Sequence, residues 1–414
     1  MISEKVPVAE LYKLELKTWW VFFKGESFAF KMICGYLFVE YVRPQSILPW
    51  LNFLPWAQVF VLGALFGLLV DQDKKWVRSP INKWIALFGL SILWSCYNAH
   101  YPSLSWSNLS SFYTWFIIYF LIINIVTTQQ RFIFFLAIFC LASFKISFSL
   151  ALTWAMRGFA FTSWGLKGPP GFFENSGELA IQMLVFWPIA LSVALCLKPY
   201  VSKWKHKLLI LMPVTAVMVI LGASSRGGQL GLLFQVFFNY TKQLLRLRVL
   251  FGVLLFGLLA WYFLPEQQKQ RFERVGEDRT SQQRLLYWEN GLDMMSEFPA
   301  TGVGFFNFIR YYEINYPDDM LYDNAQLAHN IFIQVGADLG YPGLIIYVLL
   351  CFALLRPRKF DSTTESFLVS YSTFRFSLIG FFVAGQFVSV VYYPFLWVIA
   401  SFISVYINLF MRRS

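Results

Sequence analysis

Apolar stretches of membrane-crossing length recur along the whole chain, and no interval between them is long enough to house a separate soluble domain. Crossing a hydrocarbon core takes roughly 20 mostly apolar residues of helix. Candidate spans are 28–43, 54–70, 81–97, 109–126, 132–154, 178–197, 208–223, 229–240, 249–264, 330–355, 373–391 and 395–411, with 229–240 the shortest. The expected fold is all-α, a polytopic integral membrane protein of about twelve transmembrane helices. It divides into an N-terminal bundle over 1–264 with short outer loops, a large outer loop with helical pattern over 265–329, and C-terminal spans over 330–414. Residues 1–25 mix Lys and Glu with Trp19, Trp20, Phe22 and Phe23, as an interfacial helix does, and lack the order of a signal peptide.

Composition decides between partners. Only 14% of residues are charged and 57% are hydrophobic, with a mean hydropathy of +0.54, against about 25% charged in soluble proteins. The formal charge of +11 does not point to nucleic acid, because the basic residues lie in short clusters between spans, where they set topology. Lys74, Lys75, Arg78 and Lys83 follow the second span, and Lys198, Lys203, Lys205 and Lys207 the sixth. Lys242, Arg246 and Arg248 follow the eighth, Arg356, Arg358 and Lys359 the tenth, and Arg412 and Arg413 the last. All fall after even-numbered spans, while 98–108 and 392–394 hold no Lys or Arg. Both termini are therefore expected in the cytoplasm, with 155–177 and 265–329 outside. The five cysteines are odd in number and all lie in apolar stretches, so neither a disulfide framework nor a zinc site is expected.

The 265–329 loop is net acidic yet carries Arg271, Arg274, Arg279, Arg284 and Arg310. Leu285, Trp288, Leu292 and Met295 fall at helical spacing, which predicts an amphipathic helix on the membrane surface or on the bundle. Long loops with their own helical pattern are usually functional; the alternative is a purely structural cap.

Few residues suit chemistry. Of the three histidines, His206 sits in a basic cluster as a bystander and His100 in a short outer loop with no assigned role. His329 stands where the outer loop re-enters the membrane, in Ala328-His329-Asn330. A neutral imidazole there suits proton transfer from an incoming hydroxyl near pH 7; the alternative is a helix-start histidine bonded to backbone. Arg226 lies at the outer end of the seventh span in Ser224-Ser225-Arg226-Gly227-Gly228. There the glycines would let amides approach an anion while the guanidinium forks onto phosphate; the alternative is a snorkelling arginine. Arg284, one turn before Trp288, is an anion ligand or a solvated headgroup arginine. Gly302-Val303-Gly304 lacks the third glycine and preceding strand of a nucleotide loop and reads as a turn. Asp338 is a carboxylate inside a span, a functional candidate by default, or else a cap for the helix restarting at Pro342. Nine residues separate it from His329, which puts the two on opposite faces of a continuous helix and argues against a catalytic pair. No HExxH, CxxC or DxD cluster implies a metal.

In this order and placement, Ser225-Arg226-Gly227, the large outer loop, Gly302-Val303-Gly304-Phe305-Phe306-Asn307-Phe308, His329-Asn330 and Asp338-Leu339-Gly340-Tyr341-Pro342-Gly343 resemble the O-antigen ligase and polymerase family. Gly171-Phe172-Phe173-Glu174-Asn175 resembles that family's Gly-Phe-x-x-Asn segment, and the likeness runs from about 165 to 350. The resemblance implies a GT-C-like, inverting glycosyltransferase of the bacterial inner membrane that needs no metal, nucleotide or other cofactor. It would move a glycan from undecaprenyl diphosphate to an acceptor hydroxyl on the periplasmic face. The partners implied are that lipid-linked donor, membrane lipids, and an acceptor: lipid A–core for a ligase, another lipid-linked repeat for a polymerase, or protein Ser or Thr for an oligosaccharyltransferase. Arg226 and Arg284 match family arginines that bind the diphosphate, and His329 the histidine that serves the acceptor. Arg279, Glu174, Asn330 and Asp338 are supporting candidates, the last standing where the family often has Glu. Physics runs the same way. A glycosyl diphosphate is already activated, and its leaving group gains negative charge that arginines can stabilise. A lipid-linked glycan flippase would explain the bundle equally well but not the long loop leading into His329, nor is there the pairing of halves common in transporters. A non-catalytic membrane scaffold is the third reading.

Overall fold

The computed structural model describes residues 6–71, 76–161, 165–244, 276–358 and 368–411, with isolated positions between 246 and 269 and residue 360. The expected span 249–264 falls almost wholly outside these residues, as do Arg271 and Arg274. Every regular element among the described residues is helical. In chain order they are α1 (Val8–Tyr12), α2 (Leu16–Gly25), α3 (Phe28–Val42), α4 (Pro44–Ile47), α5 (Trp56–Val70), α6 (Asn82–Tyr97), α7 (Pro102–Ile125) and α8 (Gln129–Met156). There follow α9 (Ser176–Leu197), α10 (Lys203–Gly222), α11 (Arg226–Leu244), α12 (Arg279–Glu297), α13 (Phe308–Asn315), α14 (Ile331–Leu355), α15 (Tyr371–Ala384) and α16 (Pro394–Phe410).

The starts of these helices are written locally. Ser27, Thr128, Asn175, Ser202, Asp278, Asn330 and Ser370 each accept a first-turn amide with their side chain, satisfying donors that the helix itself cannot. Proline opens α7 and α16, where its missing N–H is harmless. Helices α7, α8, α9, α10 and α14 are long and apolar enough to cross a membrane, and α5, α15 and α16 are shorter apolar helices. Leu62, Phe66, Leu90, Leu233, Phe237 and Phe352 point outward and are each more than half exposed, a pattern suited to lipid and not to water. The protein is an all-helical membrane protein.

At its centre, α9 is buried on nearly every face, as expected of a helix apolar all round, and it packs against α10, α15 and α11. Around it α3 packs on α5 and α8, α6 on α14, and α7 on α16. A second, smaller core under α12 and α13 joins Tyr287, Met294, Val303, Phe308, Tyr311 and Tyr312 to Ala337 of α14.

Three expectations need correction. The interfacial segment is two helices, α1 and α2, parted by Leu14 at φ 52°. The stripe Leu285, Trp288, Leu292, Met295 of α12 does not face one way: Met295 is buried and Trp288 half-buried against the second core, whereas Leu285 and Leu292 are 56% and 52% exposed. The buried face carries Gln283, Tyr287, Asn290 and Met294, because Gln283 and Asn290 hydrogen-bond the Asp319–Leu321 segment laid across it. The span expected over 373–391 ends at Ala384, and 385–393 is non-helical.

Helix α14 is broken at Gly340 (φ 70°, ψ −174°). Pro342 has no N–H for the Asp338 carbonyl, which accepts from Ser95 Oγ at 2.7 Å and the Gly304 amide at 3.2 Å instead. The Ala337 carbonyl takes the Val303 amide at 2.8 Å, and the Pro299 carbonyl takes that of Tyr341 at 2.9 Å. Gly302-Val303-Gly304 is thus a turn, and it plugs the break.

Candidate active site

One end of the bundle gathers the N-terminal ends of α9, α11 and α14, the first turns of α12 and the 385–393 segment. Tight glycine contacts draw these together. A Cβ on Gly228 would lie 2.6 Å from that of Ala180, and one on Gly227 2.9 Å from Phe387. The glycines beside Arg226 therefore serve packing against α9 and Phe387; they are not an open cradle of amides.

Arg226 opens α11 just after Ser224, which has φ 54°. Its terminal nitrogens fork onto the Asp278 carboxylate, Nη1 to Oδ2 at 3.1 Å and Nη2 to both oxygens at 3.1 and 3.4 Å. Asp278 caps α12, accepting the Ser281 amide at 3.1 Å and the Ser281 hydroxyl at 2.7 Å. Partial burial alone would raise its pKa, but the hydrogen bonds from Arg226 and Ser281 outweigh that and hold the carboxyl at about 2.

Arg284, half-buried in α12, has an Nε that is shut off from solvent and lacks a hydrogen-bond partner among the described residues. Burial, and then the charge of Arg226, push its guanidinium below the usual value. A buried donor of this kind costs free energy unless a ligand meets it.

His329 adopts φ 52°, a region that strains a residue with a side chain although His visits it more readily than most. Its amide is held by Ser389 Oγ at 2.8 Å, and its Nε2 lies 2.9 Å from Gln326 Oε1. That partner assigns the proton to Nε2 and leaves Nδ1 as the basic nitrogen. Burial first, and then the Arg284 charge, lower the imidazole to about 4. Arg226, Arg284 and His329 are thus close enough for each to act electrostatically on its neighbour.

The supporting candidates separate. Arg279 donates to the Leu321 carbonyl and stacks over the Tyr322 ring at 4.8 Å, pinning the segment beside Arg284. Asn330 spends its side chain on structure, accepting the Phe332 and Ile333 amides and donating to Gln386 Oε1 at 3.2 Å. Asp338 is fully buried, and its Oδ2 accepts the Tyr392 hydroxyl at 3.3 Å. Its Oδ1 has no hydrogen bond of normal geometry, although the Phe306 and Phe308 amides lie near. It therefore ties α14 to the 385–393 segment and does not cap the helix restarting at Pro342. His329 and Asp338 have separate partners, though not by helical spacing, since His329 stands before the start of α14 with φ 52°. Glu174 is exposed in the turn after Gly171. His100 packs against the rings of Phe298 and Tyr311 at 4.4 and 5.1 Å.

Sequence reasoning missed Asp278, Ser281 and the 385–393 segment. The first two were findable, since Asp278-Arg279-Thr280-Ser281 before a helical run is a capping pattern. That segment was hidden because Phe387, Val388, Val390 and Val391 read as continued span. An apolar cavity of about 220 Å³ lined by Tyr12, Trp19, Leu136, Leu197 and Leu209 lies at the opposite end of α9 and is no part of this site. Among the described residues, no group of three or more His, Cys, Asp and Glu side chains is placed to hold a metal ion.

Residues 211–348 match the family model described as O-antigen ligase, and residues 17–194 match a family of unknown function. No curated protein matches the chain. The ligase match begins within α10 and ends within α14, so it contains Arg226, all of α12, His329 and Asp338 and leaves Glu174 outside.

Proposed function

We propose, from the premise that this chain carries the O-antigen ligase domain over residues 211–348, that it is a GT-C-like glycosyltransferase working at the periplasmic face of a bacterial inner membrane. The observation that carries the reading is the meeting of Arg226, Arg284 and His329 at one end of the bundle. The donor is a glycan on undecaprenyl diphosphate. The two arginines hold its diphosphate, the apolar bundle takes the polyprenyl tail, and the acceptor enters beside His329. The acceptor oxygen attacks the anomeric carbon, the bond from that carbon to the diphosphate oxygen breaks with inversion, and the hydroxyl proton passes to His329 Nδ1. Negative charge grows on the leaving diphosphate, where preorganised guanidinium groups stabilise it most. We favour lipid A–core as acceptor. In a deletion strain that reading leaves long polymerised glycan on the lipid carrier and none on lipid A–core, whereas single-repeat caps would mark a polymerase.

The test is transfer by the purified protein from undecaprenyl-diphosphate glycan, with chelator present and nucleotide absent. A new glycosidic bond is expected. Arg226→Ala or Arg284→Ala should each lower the rate about a hundredfold, the cost of roughly 3 kcal/mol of transition-state stabilisation. Transport of intact donor without bond formation would mean a flippase.

A further inference from the structure

Arg226 already holds an anion, one supplied by this chain. The Asp278 carboxylate receives a two-pronged guanidinium at 3.1 to 3.4 Å, a backbone amide at 3.1 Å and a hydroxyl at 2.7 Å. A planar fork, a first-turn amide of a 19-residue helix and a hydroxyl are the donors that phosphate oxygens seek. Next to them stands the unpartnered, buried Nε of Arg284. Its charge and that of Arg226 repel, and Asp278 partly offsets both. Two cations against one carboxylate leave a surplus positive charge. The Arg226 and Asp278 side chains are 34% and 33% exposed, so the pair is open enough to part.

We propose that Asp278 is a built-in stand-in for the donor's diphosphate: the incoming lipid diphosphate displaces its carboxylate from Arg226, takes over the amide and hydroxyl of Ser281, and places its second phosphate against Arg284. Ser281 is then a further substrate-binding residue. Asp278 is an internal competitor that returns to Arg226 when lipid diphosphate leaves. The inference rests on the arginines being the diphosphate clamp. Its physical basis is that departure of a polyanion would otherwise strand two partly buried cations without a counter-charge, which is costly. A carboxylate waiting nearby lowers that cost and speeds release. A single carboxylate carries less charge than a diphosphate, so the ligand still wins when present.

Full-length protein in phosphatidylcholine nanodiscs is titrated with undecaprenyl diphosphate, and dissociation is followed after dilution. Asn caps helices as well as Asp does, so Asp278→Asn removes the charge and leaves α12 capped. This variant should bind about tenfold more tightly and release about tenfold more slowly. Ser281→Ala should bind about fivefold more weakly at unchanged thermal stability. Weaker binding by Asp278→Asn at normal stability would show that Asp278 only positions Arg226, and the exchange would be wrong. If the parent binds, Arg226→Ala does not, and Asp278→Asn is no tighter, the clamp stands and the exchange alone falls. If the parent itself fails to bind, the clamp falls and the exchange with it.

Discussion

His329 illustrates how one residue's surroundings set its chemistry. Its imidazole sits at about 4 because of burial and the nearby Arg284, whereas in the unfolded chain it returns to about 6.5. Between those values the unfolded chain binds more protons, so stability falls as pH drops through roughly 6.5 to 4. His329→Gln lacks this contribution. Thermal unfolding at pH 7 and pH 5 should therefore show a smaller loss in the variant than in the parent, and equal losses would mean the imidazole is solvated. The same geometry predicts the pH dependence of the reaction. In free enzyme the imidazole is neutral above about 4, so kcat/KM should keep its activity well into mild acid. With diphosphate neutralising Arg284, the imidazole regains basicity and the acid limb of kcat should lie at higher pH than that of kcat/KM. Coincident limbs would show that the two groups do not share a field in the complex. Arg226→Lys should recover part of what Arg226→Ala loses, because an ammonium gives the charge without the fork; full recovery in a donor-binding measurement would make the fork irrelevant.

At the scale of elements, the helix starts were legible and the functional irregularities were not. Asn330, read from the sequence as a supporting site residue, is used by the structure as a helix cap, with both amide atoms committed. Asn330→Ala should cost about 1–2 kcal/mol in unfolding free energy, and Asn330→Asp should recover most of it; an unchanged melting temperature in the alanine variant would contradict the cap. The buried face of α12 misled hydropathy because its partners are polar groups of the Asp319–Leu321 segment: Gln283 meets the Asp319 carbonyl and the Leu321 amide, and Asn290 the Asp319 carboxylate. Likewise the end of α15 was hidden, since Val388, Val390 and Val391 are buried at the site in a non-helical segment and look identical to span residues in sequence. Of the candidate site, Arg226 and His329 stand out in the sequence by their placement, an arginine at the outer end of a span and a histidine where the loop re-enters the membrane, while Arg284 stands out only through the family resemblance. Asp278 was legible as a cap but not as the partner of Arg226, because an acidic residue in an acidic loop does not show in sequence which cation it meets.

For the whole molecule, the basic stretch between α9 and α10 lies at the end of the bundle away from the site. There Lys205 Nζ donates to the carbonyls of Lys13 and Leu14 beside the N-terminal helices, and Tyr12 meets the Tyr200 ring at 5.1 Å. In the orientation proposed above, with basic loops inside, these contacts keep the N-terminal helices on the cytoplasmic side and the site outside. In intact cells, a cysteine replacing exposed Asp318 should react with a membrane-impermeant thiol reagent and one replacing exposed Lys203 should not; the reverse pattern would invert the molecule. The plugged break in α14 bears on how such a protein is made. Synthesis runs from N- to C-terminus, so the Pro299–Gly304 turn leaves the ribosome before α14 does. A helix broken at Gly340 and Pro342 carries open carbonyls that lipid cannot satisfy; Ser95 of α6 and the Gly304 amide of that turn close the Asp338 carbonyl, and the Ala337 carbonyl is closed by the turn alone. Delivery of the outer segment across the membrane would then have to precede settling of α14, making translocation of the cap a checkpoint in the protein's own biogenesis.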